Sequence, residues 1–137
     1  MKTLALRVRF QNESALKIAS FLQNQSAVEK VNYPGLESHR QHSRARELFD
    51  GFGGMLSFEL KGGVVAANEF MKKTIIPVKA PSLGGVETLL TLPSTTSHAG
   101  MRPEERQALG ITDGLIRMSV GIEATEDIIE DFGNALH

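Results

Sequence analysis

The sequence predicts a single α+β domain over residues 1–137, with a sheet on one layer and helices on the other. A chain of 137 residues is long enough for one core and too short for two comfortable ones. Hydrophobic residues make up 41% and charged residues 23%, near the average for a globular protein, which argues against wholesale disorder. Helical and strand periodicities mix without regular βαβ alternation. We therefore expect several strands with helices packed on one face.

The first predicted element is one long helix over Thr3–Gln23. Its beginning is ambiguous, because apolar residues at positions 4–10 alternate with small or charged ones as they would in a strand. Further along, the apolar residues recur at helical spacing: Ala15, Ile18, Ala19 and Leu22. Ser14 lies off that apolar stripe. Since no Gly or Pro interrupts the segment, the pattern favours a helix throughout.

A short strand is predicted at 28–33, stopped by the turn dipeptide Pro34-Gly35. The polar segment 38–48 is predicted to be helical. Glycines between positions 51 and 54 then break the chain before a strand at 55–60. A helix over 64–73 follows, with apolar residues at helical spacing.

The second half of the chain contains three further predicted strands, at 76–79, 88–92 and 115–120. A short helix over 102–109 precedes the last strand, and Pro103 suits the first turn of such a helix. The terminal helix is predicted over 125–136. Thr125 is the candidate N-cap there, and the acidic residues after it suit the positive end of the helix dipole.

Composition also excludes several classes of function. The net charge is −1, with 15 basic and 16 acidic residues, so no concentrated basic surface favours nucleic acid or an anionic membrane. No apolar run approaches the ~20 residues of a membrane span, and arginines interrupt the N-terminus where a signal peptide is apolar. A cytoplasmic location is therefore expected. The absence of cysteine excludes disulfides, thiolate metal sites and cysteine nucleophiles.

Two histidines could form a metal pair, since His39 and His42 could share one face of the predicted helix. They lack a third ligand nearby, and the arginines around them would repel a cation. The pattern favours two solvated residues, and no metal site is predicted.

Two features are suited to binding an anion. The turn Ser82-Leu83-Gly84-Gly85 offers backbone N–H groups and a hydroxyl with little side-chain cover. Arg117 alternates with Ile116 and Met118, so it lies on the opposite face of the last strand. A strand arginine can simply reach solvent, or it can grip a ligand carboxylate through two parallel hydrogen bonds. The pattern leaves both interpretations open.

Four segments, in order and with fitting gaps, resemble the C-terminal domain of the trans-sulfuration family of pyridoxal-phosphate (PLP) enzymes. That family includes cystathionine γ-synthase, cystathionine γ-lyase, cystathionine β-lyase and methionine γ-lyase. The four segments are 1–8, 31–36 with 51–58, 82–89 with 97–101, and 114–123. Together they span nearly the whole chain.

The resemblance implies fold type I of the PLP enzymes, whose C-terminal domain is an antiparallel sheet of about four strands with helices on one face. It also implies roles for particular residues. Arg117 matches the arginine that holds the α-carboxylate of the amino-acid substrate. Ser82, with Leu83 beside it, matches the turn that helps to bind the same carboxylate. Ser97 matches a position near the entrance of the active site, where many members have threonine.

The family's cofactor lysine lies in a Ser-x-Thr-Lys context in the preceding domain, and no lysine of this chain has such neighbours. The resemblance therefore implies that the PLP-binding domain is absent from these 137 residues. We expect no catalytic residue, no bound PLP and no activity of this chain by itself. An alternative is a free-standing oligomerisation or binding module that pairs with a separately encoded cofactor domain. Apolar residues left uncovered on the first helix, such as Leu4, Val8 and Phe10, would then favour a homo-oligomer.

Overall fold

The computed structural model describes residues 2–137. Met1, which begins the first of the four segments, lies outside the described residues. The helices are α1 (Leu4–Gln23), α2 (His42–Leu48), α3 (Gly63–Lys73), α4 (Pro103–Ala108) and α5 (Thr125–Leu136). The strands are β1 (Val28–Asn32), β2 (Met55–Leu60), β3 (Val78–Lys79), β4 (Leu89–Thr91) and β5 (Ile116–Ser119). A 3₁₀ turn at Pro93–Thr95 follows β4. The predicted α+β class is confirmed.

The five strands form one sheet in the order β1-β2-β5-β4-β3. Neighbours are antiparallel except β3 and β4, which run parallel. The N–H groups of Val78 and Ala80 donate to the carbonyls of Thr88 and Leu90, at 2.9 and 3.2 Å, and this ascending pairing joins parallel strands. The expectation of an antiparallel sheet of about four strands was therefore wrong. The sheet is mixed, because the short strand β3 adds a fifth, parallel member at one edge.

Arg117 lies near the middle of the sheet and points away from the core. Its register partners are Ser57 on β2 and Thr91 on β4. Its neighbours Ile116 and Met118 are fully buried on the other face. The predicted alternation along β5 is confirmed, and it places one guanidinium on the face that the core does not cover.

Helices α1, α3 and α5 share the hydrophobic core with the sheet. Three buried aromatic rings join the layers: Phe58 of β2, Phe70 of α3 and Phe132 of α5. Their centroids lie 5.1–6.3 Å apart, within the range of favourable aromatic pairs. Each ring contributes about 1.5–3 kcal/mol by leaving water. No helix within residues 2–137 combines the length and the apolarity that a bilayer crossing requires.

The long first helix is confirmed, and its strand-like start is explained by exposure. Leu4, Leu6, Val8 and Phe10 are 38–69% exposed, so their alternation marks no sheet face. Ser14, predicted to lie off the buried stripe, is only 2% exposed. Its hydroxyl lies 2.7 Å from that of Thr125, which joins α1 to the start of α5.

One predicted helix start and one predicted N-cap were wrong. The helix predicted from Ser38 begins only at His42, and the side chains before it are engaged in other hydrogen bonds. The hydroxyl of Ser38 donates to Gln23, and the N–H of Gln41 donates to the ring of His39. Thr125 is the first residue of α5 and not its N-cap, since its hydroxyl contacts α1 instead.

Tyr33, the one tyrosine of the sequence, closes the core beside the glycine segment that precedes β2. Its side chain is fully buried, and its hydroxyl donates to the carbonyl of Gly53 at 2.8 Å. The ring of Phe52 packs edge-on against it. Burial raises the pKa of Tyr33 to about 12, because the interior disfavours the charged phenolate.

Candidate functional site

Arg117 and the turn at Ser82–Gly85 meet at one place on the open face of the sheet. Nη2 of Arg117 donates to the carbonyl of Pro81 at 2.6 Å and to that of Ser82 at 3.2 Å. These bonds join residues 35 and 36 positions apart in the sequence. The structure therefore brings Arg117 and Ser82 together, with Leu83 next to them and 58% exposed.

The turn is held by β5 as well. Gly84 has φ +75°, in the left-handed region that favours glycine. Its N–H donates to the hydroxyl of Ser119 at 2.9 Å, so this N–H, predicted to be free for an anion, is already used. Ser119 lies two residues beyond Arg117, on the same face of the strand. The alternation along β5 could have pointed to it.

Helix α1 supports the turn from the other side. Nε2 of Gln11 donates to the carbonyl of Gly85 at 2.8 Å, and Nη1 of Arg7 lies 3.5 Å from the carbonyl of Gly84. Sequence reasoning missed Gln11, which is only 7% exposed. Its position four residues before Ala15, on the buried stripe of the helix, was the available signal.

The remaining donors of the site are suited to a negatively charged ligand. Nε of Arg117 is buried and has no hydrogen-bond partner among residues 2–137. An unpaired buried N–H costs about 1–3 kcal/mol, which an acceptor atom of a ligand would remove. The carbonyls of the turn are bound to Arg117, Gln11 and Arg7, while the Ser82 side chain stays exposed. The arrangement can receive a carboxylate through a fixed guanidinium and a short turn.

Ser97 makes no direct bond to this site. Its hydroxyl is 2.8 Å from Nδ1 of His98, and within residues 2–137 no hydrogen bond joins Ser97 to Arg117 or to the turn. The preceding Thr96 contacts Thr91, the register partner of Arg117, at 3.0 Å. A cavity of about 210 Å³ opens there and is lined in part by Pro81, Thr91 and Thr96.

His39 and His42 do not share a helix face, because His39 precedes α2. Nδ1 of His42 lies 2.7 Å from the carbonyl of Pro34, and its ring stacks on Phe52 at 5.4 Å. Within residues 2–137 no group of three or more histidine, cysteine or acidic side chains is placed to hold a metal ion. Both histidines have local structural contacts in the described fold.

The side chains of this chain do not fit the aldehyde end of PLP. A lysine that forms a Schiff base is typically desolvated, which lowers its pKa. Every lysine of the described chain is exposed to solvent. Lys79 lies nearest to the turn in sequence, and its ammonium group donates to the carbonyls of Thr74 and Pro77 at 2.6 and 3.2 Å. Arg117 and the turn are suited to a carboxylate, and no lysine within residues 2–137 makes a hydrogen bond to either.

Comparisons with known proteins identify the family. The family model described as Cys/Met metabolism PLP-dependent enzyme matches residues 1–137. The cystathionine beta-lyase of Lactococcus lactis subsp. cremoris (strain MG1363) is 47% identical over 136 residues, 99% of this chain and 36% of that protein. The cystathionine gamma-lyase of Bacillus subtilis (strain 168) is 46% identical over the same shares. The crystal structure of cystathionine gamma synthase from Xanthomonas oryzae pv. oryzae in complex with cystathionine matches with a TM-score of 0.94 and 43% identity.

The match to the solved structure covers 98% of this chain and 35% of that chain. The chain thus spans little more than a third of the length of the relatives it matches. Both the family match and the structural match extend over nearly all of its residues. The chain belongs to the Cys/Met metabolism PLP-dependent enzyme family.

Proposed function

We propose that these residues form the C-terminal domain of a trans-sulfuration enzyme, and that Arg117 and the Ser82–Gly85 turn bind the α-carboxylate of its amino-acid substrate. The observation that carries the proposal is the direct contact between the guanidinium and the turn, 2.6 and 3.2 Å from Nη2 to two successive carbonyls. Substrates of this class are amino acids, and each offers one carboxylate that must be fixed before a bond elsewhere in the molecule can react.

The arginine is well held for this role. A long side chain loses rotamer freedom when it binds a ligand, and two backbone carbonyls already restrict that freedom for Arg117. Because Nη2 is engaged, Nη1, Nε and the exposed Ser82 remain for the carboxylate. Each charge-assisted hydrogen bond formed there contributes about 1.5–3 kcal/mol. Ser97 follows Thr96, which lines the 210 Å³ cavity, and would contact the distal part of the substrate.

In this proposal the domain contributes binding and orientation, and catalysis requires sequence outside these residues. PLP, when bound, supplies an electron-withdrawing ring that stabilises a carbanion. Since every described lysine is exposed and none makes a hydrogen bond to Arg117 or to the turn, the cofactor lysine would belong to the part of the relatives that this chain does not span. The 137-residue chain alone is expected to be inactive and to bind no PLP.

A hybrid enzyme tests the carboxylate site. In it these residues replace the matching part of the Xanthomonas oryzae cystathionine gamma synthase, to which they are 43% identical. We expect the hybrid to be active and Arg117→Lys to raise KM for the amino-acid substrate at least tenfold, because lysine cannot present the same donors. Arg44→Lys, on the exposed surface of α2, is the matched control and should change nothing. Equal KM values for the Arg117→Lys and Arg44→Lys hybrids would overturn the assignment.

The chain alone provides a second test. After expression with PLP and dialysis, we expect no visible absorbance band of bound cofactor. A stoichiometric band that shifts on borohydride reduction, with the reduced cofactor mapped to one lysine, would contradict the proposal that the cofactor lysine lies outside these residues.

A second candidate function, an oligomerisation or binding module, is favoured by the exposed start of α1. Leu6 is 69% exposed, and Leu4, Val8 and Phe10 are between 38% and 45% exposed. Apolar side chains on several sides of one helix favour association with another surface. Light scattering of the chain at tens of micromolar should then give a dimer or higher oligomer. A monomer under these conditions would remove this candidate.

A further inference from the structure

We propose that Thr88 and Glu123 are positioning residues that set the Ser82–Gly85 turn over Arg117. With Gly121 they form a small network, named here the Thr88–Glu123 clamp. Its consequence for substrate binding rests on the proposed carboxylate site, whereas its effect on the turn can be measured without any ligand.

The clamp is made of short hydrogen bonds across a long sequence separation. The carboxylate of Glu123 accepts the N–H of Thr88 on Oε1 at 2.6 Å and the hydroxyl of Thr88 on Oε2 at 2.7 Å. The same hydroxyl oxygen accepts the N–H of Gly121 at 2.9 Å. Thr88 is fully buried, so each of these groups would be costly to leave unpaired.

The clamp closes just beyond the ends of two strands. Leu89 at the start of β4 pairs with Ser119 at the end of β5, and the regular ladder stops there. Thr88 precedes β4 and Glu123 follows β5, so their bonds continue the connection between the two chain segments. Between them the N–H of Ile122 donates to the carbonyl of Val86 at 2.9 Å. Residues 86–88 lead directly out of the carboxylate-binding turn.

At Gly121 the backbone lies so close to Val86 and Glu123 that no side chain fits there. A Cβ atom at that position would lie 2.3 Å from the carbonyl oxygen of Val86 and 2.4 Å from Oε2 of Glu123. Since Gly121 does not have a positive φ, its requirement for glycine comes from this lack of space and not from backbone strain. The segment after β5 thus lies against the segment after the turn with no side chain between them.

The turn depends on such support because it is otherwise open. Ser82, Leu83 and Gly84 are all exposed. Few atoms pack over them, so the bonds at their base fix where the Ser82 carbonyl meets Arg117. Releasing the clamp would leave the Ser119 and Gln11 contacts to hold the turn. We infer that the distance from Nη2 to the turn, and with it the direction of the guanidinium, is set in part by Thr88 and Glu123.

Hydrogen exchange in the ¹⁵N-labelled chain tests the clamp. Thr88→Val removes the hydroxyl and keeps the shape, whereas Thr88→Ser keeps the hydroxyl. The matched control is Thr125→Val, which removes a second buried threonine hydroxyl, one that bonds Ser14 far from the turn in the sequence. We expect both valine variants to lose stability, so a general loosening of the fold would speed exchange in both. The readouts are exchange at the Gly84 amide and at Nε–H of Arg117.

We expect Thr88→Val to exchange at both sites at least about tenfold faster than Thr125→Val, with Thr88→Ser close to wild type; tenfold corresponds to about 1.4 kcal/mol. Glu123→Gln, which keeps one acceptor oxygen, should show the same local effect to a smaller degree and serves if Thr88→Val does not fold.

The proposal would be wrong if the Gly84 amide of Thr88→Val exchanged no faster than that of Thr125→Val. It would also be wrong if Thr88→Ser exchanged as fast as Thr88→Val. In the hybrid enzyme the same variants should raise KM more than they lower kcat. If the wild-type hybrid were inactive while the Gly84 amide of Thr88→Val exchanged faster as expected, the proposed function would be rejected and the positioning role of Thr88 and Glu123 would be supported.

Discussion

Adding one methyl group at Gly121 tests how closely the segment after β5 packs against the segment after the turn. A Cβ there would lie 2.3 Å from the Val86 oxygen and 2.5 Å from the Glu87 carbonyl carbon. Both obstacles are backbone atoms, so no rotamer change relieves them. To reach even 3.0 Å, the 2.3 Å contact must open by 0.7 Å. A shift of that size, directed away from Ile122, would stretch the 2.9 Å bond from its N–H to Val86 beyond hydrogen-bond range.

We therefore expect Gly121→Ala to lower the free energy of unfolding by about 1–3 kcal/mol. Gly133→Ala is the matched control. Gly133 lies inside α5, and a Cβ there meets only the ring of Phe21, at an ordinary 3.7 Å. Alanine in a helix interior is favoured over glycine by about 0.5–1 kcal/mol, so this variant should be more stable than wild type.

The assay is urea unfolding followed by circular dichroism at a helix wavelength, since the chain has no tryptophan. We expect the urea midpoint to fall for Gly121→Ala and to rise for Gly133→Ala, with unchanged m-values in both. If Gly121→Ala unfolds at the wild-type midpoint, then the segment after β5 does not pack against the segment after the turn as described. The close approach at Gly121 would then no longer support the Thr88–Glu123 clamp.

Three further predictions follow from the packing. Absorbance at 295 nm reports Tyr33 alone, because the chain has one tyrosine, and it should titrate near its raised pKa of about 12 in the folded protein and near 10.0 in urea. As the folded state keeps its proton longer, this contribution to stability is complete below pH 10 and is lost as the pH rises towards 12; a native value near 10.0 would contradict it. Asp131 accepts the N–H groups of Ile75 and Ile76 at 3.0–3.1 Å, so Asp131→Ala should cost about 1–3 kcal/mol in urea unfolding and Asp131→Asn less. Phe132→Ala should cost about 3–5 kcal/mol by the same measurement, and a loss under 1 kcal/mol would show that the aromatic cluster is not close-packed.

The elements with a strong local signal could be predicted from the sequence. β2 and α5 begin and end where the pattern predicts, because glycines or a cap-like segment bound a clear periodicity. The orientation of Arg117 also followed from alternation along one strand. Residues 4–10 had the alternation of a strand, yet no Gly or Pro interrupts them. The absence of these helix breakers correctly predicted that they belong to the helix.

The long-range contacts could not be predicted from local patterns. The direction of the two-residue strand β3 depends on which neighbour it meets, and periodicity carries no information on direction. Gln11 supports Gly85 across 74 positions, and Glu123 reaches Thr88 across 35. Gln11 looked like an ordinary polar residue within the first helix, and Glu123 like one in the loop after the last strand. Their contributions arise from tertiary contacts that a single sequence does not display.

The strand order has a consequence for synthesis of the protein. β5 is the last strand in the chain, yet it lies between β2 and β4. During translation both neighbours are made before the strand that joins them. At roughly 5–20 residues per second, translation from Thr91 to Ser119 takes on the order of seconds. Until β5 is available, β2 and β4 each lack one neighbour, and such unpaired strand edges favour pairing with other chains.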